Sequence, residues 1–162
     1  MNYPKRVTIG DITVRDGFQH EEIFIPTDAK VWLAEQLILA GFRHIEVTNL
    51  GNPAGMPQFK DADEVLKRIR SSKLVKDLLP NVSVTAITIR EKAIERAIRA
   101  KKEGYGPDRI LLMVSTSESH HRKNSGISLE DYWKMAEKYI PQARDAGLKV
   151  NGTVSTIWGC PI

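Results

Sequence analysis

The feature that most restricts the fold of this chain is a rhythm. Short runs of β-branched and apolar residues alternate with longer amphipathic stretches, at intervals of roughly 30 to 40 residues. Residues 7–14 read as a first strand, followed by a helix over 28–40 that Thr27 caps and Gly41 ends. A strand over 45–48 then precedes a helix over 61–72, a strand over 82–88 a helix over 91–102, and a strand over 110–115 a helix over 129–146. Residues 150–156 make a fifth strand. The helix over 129–146 is the best specified locally. Ser128 with Asp131 resembles a capping box, Ile127 and Tyr132 are spaced as a hydrophobic staple, and Tyr132, Ala136, Tyr139, Ile140 and Ala143 recur on one face before Gly147.

Strands joined by helical crossovers run parallel with right-handed connections, which leaves a doubly wound sheet or a (β/α)8 barrel. A dinucleotide-binding sheet needs a glycine-rich turn after its first strand. Here Gly10 and Gly17 stand alone, and Arg15-Asp16 puts charge where a pyrophosphate loop needs bare backbone. The reading is therefore α/β: residues 1–162 as the N-terminal five strands and four helices of a single TIM-barrel domain, an incomplete barrel. Such a piece leaves a parallel strand edge and the inner barrel face uncovered, which calls for a homo-oligomer or a C-terminal half to complete it.

Composition narrows the rest. With 162 residues, 41% hydrophobic and 27% charged, the chain can bury one core. No apolar run reaches the roughly 18 to 20 residues of a membrane span, and the N-terminus leads into a strand-like run, so a cytoplasmic protein is expected. One cysteine, Cys160, excludes an internal disulfide and a cysteine zinc cage. The net charge of +4 suits a phosphate-rich ligand, a nucleic acid or nothing in particular. Its basic residues interleave with acids, as in Glu91-Lys92 and Glu95-Arg96, and no basic face carries aromatics, so no nucleic-acid partner is expected.

Barrel chemistry sits at the C-terminal ends of the strands, and three of these ends are polar. Strand one ends in Arg15-Asp16, where Asp16 suits a hard cation such as Mg2+ or Mn2+ and Arg15 offers a fork for an enolate or carboxylate; a structural ion pair between them reads equally well. Glu46 lies between Ile45 and Val47, where an unpaired carboxylate is unfavourable, and Arg15 is the obvious partner. Strand four leads into a loop with His120, His121, Lys123 and Asn124. Adjacent histidines point apart and lack chelating spacing, while Lys123 and Asn124 can meet a phosphate or carboxylate. Trp32, Trp133 and Trp158 read as packing residues.

Arg15-Asp16-Gly17-Phe18-Gln19 resembles the signature of a metal-dependent barrel superfamily that contains hydroxymethylglutaryl-CoA lyase, isopropylmalate and homocitrate synthases and the pyruvate carboxyltransferase domain. The lyase branch is the most similar. Ile45-Glu46-Val47-Thr48, Met56-Pro57-Gln58, Ser115-Thr116-Ser117-Glu118 with Lys123-Asn124, and Gly159-Cys160-Pro161 follow in the lyase order. The resemblance implies Asp16 as metal ligand, Arg15 as enolate stabiliser, Glu46 as the residue holding Arg15, and Gln19, Thr48, Lys123 and Asn124 at the substrate. It implies an acyl-CoA substrate, with retro-Claisen cleavage of a 3-hydroxy-3-methylglutaryl thioester to acetyl-CoA and acetoacetate.

Two departures bear on this. His20 stands where the lyase usually has asparagine, and His120-His121 is similar to the condensing synthases, so a Claisen condensation of an acyl-CoA with a 2-oxo acid is the alternative. Family members also carry a His-x-His metal pair and a cysteine acid beyond the Gly-Cys-Pro segment, so Cys160 is not that acid. The expectation is a chain inactive alone, or a non-catalytic half-barrel module.

Overall fold

The computed structural model describes residues 3–160; Met1, Asn2, Pro161 and Ile162 lie outside it. Five strands form one sheet in chain order, every neighbouring pair parallel. They are β1 (Gly10–Asp11), β2 (His44–Asn49), β3 (Ser83–Ile87), β4 (Arg109–Ser115) and β5 (Lys149–Ser155). Helices α1 (Thr27–Leu39), α2 (Ala62–Ser71), α3 (Glu91–Lys102), α4 (Glu118–Ser125) and α5 (Leu129–Asp145) fill the crossovers. This is half of a (β/α)8 barrel.

The core lies between the outer sheet face and the helices. Ile45, Val47, Val84, Ala86, Ile110, Leu112 and Val114 from the strands meet Ile38, Leu66, Ile69, Ile94, Ala97 and Tyr132 from the helices. Period-two alternation follows from the pleat. Ile110, Leu112 and Val114 enter this core, while Arg109 and Leu111 line a cavity on the concave side with His44, Glu46, Thr85 and Asn151. Gly41, at a φ of 103°, ends α1 in the left-handed region that a side chain would disfavour. At the start of α5, Ser128 Oγ accepts from the Asp131 amide (3.0 Å) and donates to its carboxylate (2.6 Å).

Four expectations need correction. The first strand stops at Asp11 instead of Val14, because the Asp11 carboxylate accepts from the Thr13 amide (2.8 Å) and hydroxyl (3.2 Å) and turns the chain. Thr27 does not cap α1; Pro26 holds the cap position and the Thr27 hydroxyl donates to Asp61 (2.8 Å). Among the described residues there are five α-helices, not four, because residues 118–125 are helical. Ser117 caps that helix and Glu118 pairs with Arg122 one turn on, but its buried residues are only His121 and Ser125, too few for an apolar period to show. The tryptophans pack little: Trp32, Trp133 and Trp158 are 60%, 53% and 99% exposed, although Trp133 stands edge-on to Tyr132 at 6.0 Å.

Candidate active site

The turn at Asp11 decides how the first strand end meets the second. Residues Thr13–Gly17 form a single π-helical turn, with the Asp16 amide donating to the Ile12 carbonyl (2.6 Å). On that turn Arg15 is buried, at 8% exposure. Its Nε and Nη2 both donate to Glu46 Oε2, at 2.9 and 2.6 Å, and its Nη1 donates to Asp16 Oδ1. Arg15 therefore engages both carboxylates, so the ion-pair reading of Arg15-Asp16 and the partner reading of Glu46 describe one cluster. Asp16 Oδ2 and Glu46 Oε1 accept nothing from the described residues.

Beyond Glu46, β2 carries a register shift against β3, from Glu46↔Thr85 to Thr48↔Ala86. Thr48 thereby lies level with core residue Ala86 and is itself buried. Asn49 follows, its Oδ1 accepting from the Gly51 amide (2.8 Å), which shapes the β2–α2 loop. Gln58 then ties that loop to the one after Arg15-Asp16. Its Nε2 donates to the Glu21 and Ile23 carbonyls (both 2.7 Å) and its Oε1 accepts from the Ile25 amide (3.0 Å). Beneath it, fully buried Lys30 donates to the Gln58 carbonyl and to Asp61 (2.7 Å), with its ammonium 4.2 Å from the centre of the Phe24 ring. Local spacing carries no signal for Gln58 or Lys30; both contacts join segments about thirty residues apart in sequence, far beyond any local pattern.

The ends of β4 and β5 carry a network of two serine hydroxyls and an imidazole. Ser115 Oγ lies 2.7 Å from His120 Nδ1 and 2.9 Å from Ser155 Oγ, and Ser155 Oγ donates to the Val114 carbonyl (3.3 Å). His121 points the other way, into the packing of α4 on α5, edge-on to Tyr132 at 4.8 Å. Burial depresses the His121 pKa, Glu118 opposing more weakly, and the same burial pushes the Tyr132 hydroxyl up to about 12. Lys123 and Asn124 are exposed on α4, where Asn124 Nδ2 reaches Met113 Sδ at 3.9 Å. Gln19 is half-buried just beyond Arg15-Asp16. The structure thus joins Arg15, Asp16 and Glu46 directly and leaves Gln19, Lys123 and Asn124 on neighbouring segments of the same rim.

A divalent cation prefers several oxygen ligands. Asp16 fits as one, being a half-exposed carboxylate with a free oxygen beside a fixed guanidinium. Among the described residues no three His, Cys, Asp or Glu side chains come together, so Asp16 is at most part of a coordination shell.

The family model described as HMGL-like matches residues 6–159. A hydroxymethylglutaryl-CoA lyase of Bacillus subtilis is 32% identical over 161 residues, which cover 99% of this chain and 50% of the relative. The mitochondrial hydroxymethylglutaryl-CoA lyase of Rattus norvegicus is 33% identical over 158 residues, 98% of this chain and 45% of its own. Among solved structures, the HMG-CoA lyase of Bacillus subtilis superposes with a TM-score of 0.84 at 32% identity, covering 99% of this chain and 50% of that one. An HMG-CoA lyase from Acinetobacter baumannii, in complex with coenzyme A and 3-methylmalate, gives 0.82 at 26% identity, covering 96% and 47%. The chain spans about half the length of these relatives. Matched by the HMGL-like model over nearly its whole length, and folded as the half-barrel of these relatives, this chain belongs to the HMGL-like family.

Proposed function

We propose that this chain supplies the N-terminal half of the active site of a divalent-metal-dependent lyase that cleaves 3-hydroxy-3-methylglutaryl-CoA to acetyl-CoA and acetoacetate. The observation that carries the reading is the clamped Arg15. Of the five N–H donors of a guanidinium, two are committed to Glu46 and one to Asp16, which leaves two for a substrate oxygen. Glu46 fixes the plane of the fork, and burial keeps water from screening its charge. In the cleavage, a base takes the tertiary hydroxyl proton and the carbon-carbon bond breaks. Its electron pair passes to the thioester as an enolate, which takes a proton to become acetyl-CoA. Arg15 holds the enolate oxygen more tightly than the neutral carbonyl, which is where rate is gained. Asp16 provides one ligand for Mg2+ or Mn2+, whose charge lowers the barrier to deprotonation when bound. Gln19, Thr48, Lys123 and Asn124 form the acyl-CoA side of the site, Gln19, Lys123 and Asn124 from the rim and Thr48 from the buried end of β2.

Acetoacetate release by the full-length protein with Mg2+ tests this. Arg15→Lys, which keeps charge and loses the fork, is expected to lower kcat by about 100-fold. Unchanged turnover in Arg15→Lys and Asp16→Asn overturns the assignment. The engagement of His120 with Ser115 favours one second reading, a condensation of acyl-CoA with a 2-oxo acid. CoA release that requires a 2-oxo acid would select it.

A further inference from the structure

At the opposite end of the sheet, the residues that open or precede the strands surround a second cavity of about 700 Å3. Arg43, Arg70, Lys76, Lys101, Arg109 and Lys149 line it with a single carboxylate, Asp108, a net of five positive charges where the whole chain carries four. The excess basicity of the molecule is therefore concentrated here. The arrangement is rigid at its base, because consecutive strand starts are joined by backbone hydrogen bonds: Ser83 to Arg43 (2.7 Å), Asp108 to Val84 (2.8 Å) and Lys149 to Asp108 (2.9 Å).

Asp108 is fully used. Its Oδ2 accepts from the Val84 amide (2.9 Å) and lies 2.9 Å from Arg70 Nη2, and its Oδ1 lies 3.6 Å from Lys101. Arg43, Lys76, Arg109 and Lys149 pair with no carboxylate among the described residues. Arg109 donates through Nη1 to Asn151 Oδ1 (3.2 Å), but among the described residues its Nε and the Ser83 Oγ are buried with no partner. Four unneutralised cations in one concavity repel one another, and unspent buried donors are unfavourable unless an acceptor fills them. One face is apolar, formed by Leu79, Pro80 and Val82.

From these observations we infer a binding site for a small organic polyphosphate, of nucleoside diphosphate or triphosphate type, on the strand-start face. A monocarboxylate would leave most of the charge uncompensated, whereas a diphosphate brings about three negative charges to guanidinium forks suited to phosphate. The apolar face takes the organic group, and the volume lies within the range of small-molecule sites. Because the site is at the other end of the strands from Arg15, its occupant is a ligand separate from any acyl-CoA.

Calorimetric titration of the protein with inorganic pyrophosphate and with ADP, at fixed ionic strength, tests this without reference to turnover. One equivalent of each is expected to bind, ADP more tightly. The double variant Lys76→Gln, Lys149→Gln removes two exposed lysines and is expected to weaken both about tenfold or more. Lys73→Gln with Lys92→Gln, which removes the same charge elsewhere, leaves both unchanged. Equal weakening in the two variants, or several weak equivalents, means diffuse attraction and overturns the site; so does no binding. ADP no tighter than pyrophosphate overturns the organic part of the assignment.

Discussion

The two sides of the barrel mouth are built from different chemistry. At the ends of β1 and β2 the groups are charged, and Arg15 sits against Glu46 and Asp16. At the ends of β4 and β5 they are neutral hydroxyls and an imidazole, Ser155, Ser115 and His120 in series. The charged side is braced from behind, by Gln58 across two loops and by Lys30 beneath. The neutral side hangs on β5, next to an open groove of about 750 Å3 along α5 lined by Trp133 and Val154. Buried charge is tolerated only where its partners are fixed, so the bracing belongs on the charged side.

The sharpest way to break that contrast is Glu46→Ala. Removing one partner strands the buried guanidinium, and the expected loss is about 3 kcal/mol, at the lower end for a broken buried pair because Asp16 still neutralises part of the charge. Urea denaturation read by circular dichroism measures it. The companion Glu46→Gln keeps an acceptor for Arg15 and should recover part of the loss. A destabilisation below about 0.5 kcal/mol in Glu46→Ala would mean that the clamp is a surface pair.

Gln58→Ala tests the brace. Two carbonyls and one amide lose their partner at once, for an expected cost of about 2 kcal/mol. If the brace serves the clamp, the double variant with Glu46→Ala falls short of additivity. Strict additivity would show that the loops hold themselves.

What the sequence reveals of all this follows from the range of each contact. The half-barrel is legible because strand and helix periods are local, and Gly41 and Ser128 mark boundaries by their own backbone preferences. The Glu46 partner is legible because a carboxylate between Ile45 and Val47 cannot stand alone. The early stop of β1 turns on one carboxylate, Asp11, folding back on Thr13, which overrides the β-branched run around it. Helix α4 is hidden by its polarity. The meeting of Ser155 with Ser115 depends on the β4–β5 register, in which those two residues pair, and no residue spacing encodes a register.

On the neutral side the expected effects are smaller. Ser155→Ala removes its bonds to Ser115 and to the Val114 carbonyl and leaves Ser115 bonded to His120, so about 1 kcal/mol should be lost. The difference between this value and that of Glu46→Ala measures the contrast between the two sides. Comparable losses would mean that the hydroxyl series holds β5 to β4 as firmly as the ionic clamp holds β1 to β2.

The smallest effect concerns the packing of α4 on α5 as pH falls. His121 is 1% exposed, its Nε2 has no partner among the described residues, and its ring stands against Tyr132. Burial lowers its folded pKa below the ordinary 6.5. The unfolded chain therefore binds this proton at a higher pH than the folded chain does. In the window from 6.5 down to the folded value the unfolded state carries more protons, so stability falls as pH falls and levels off once both states are protonated. Thermal melts of the native chain and of His121→Phe, compared between pH 7.5 and 5, isolate this contribution. The native melting temperature should drop more steeply than that of the variant, whose ring keeps the edge-on contact without a proton to bind. Parallel curves would show that His121 takes up its proton in the folded state without penalty.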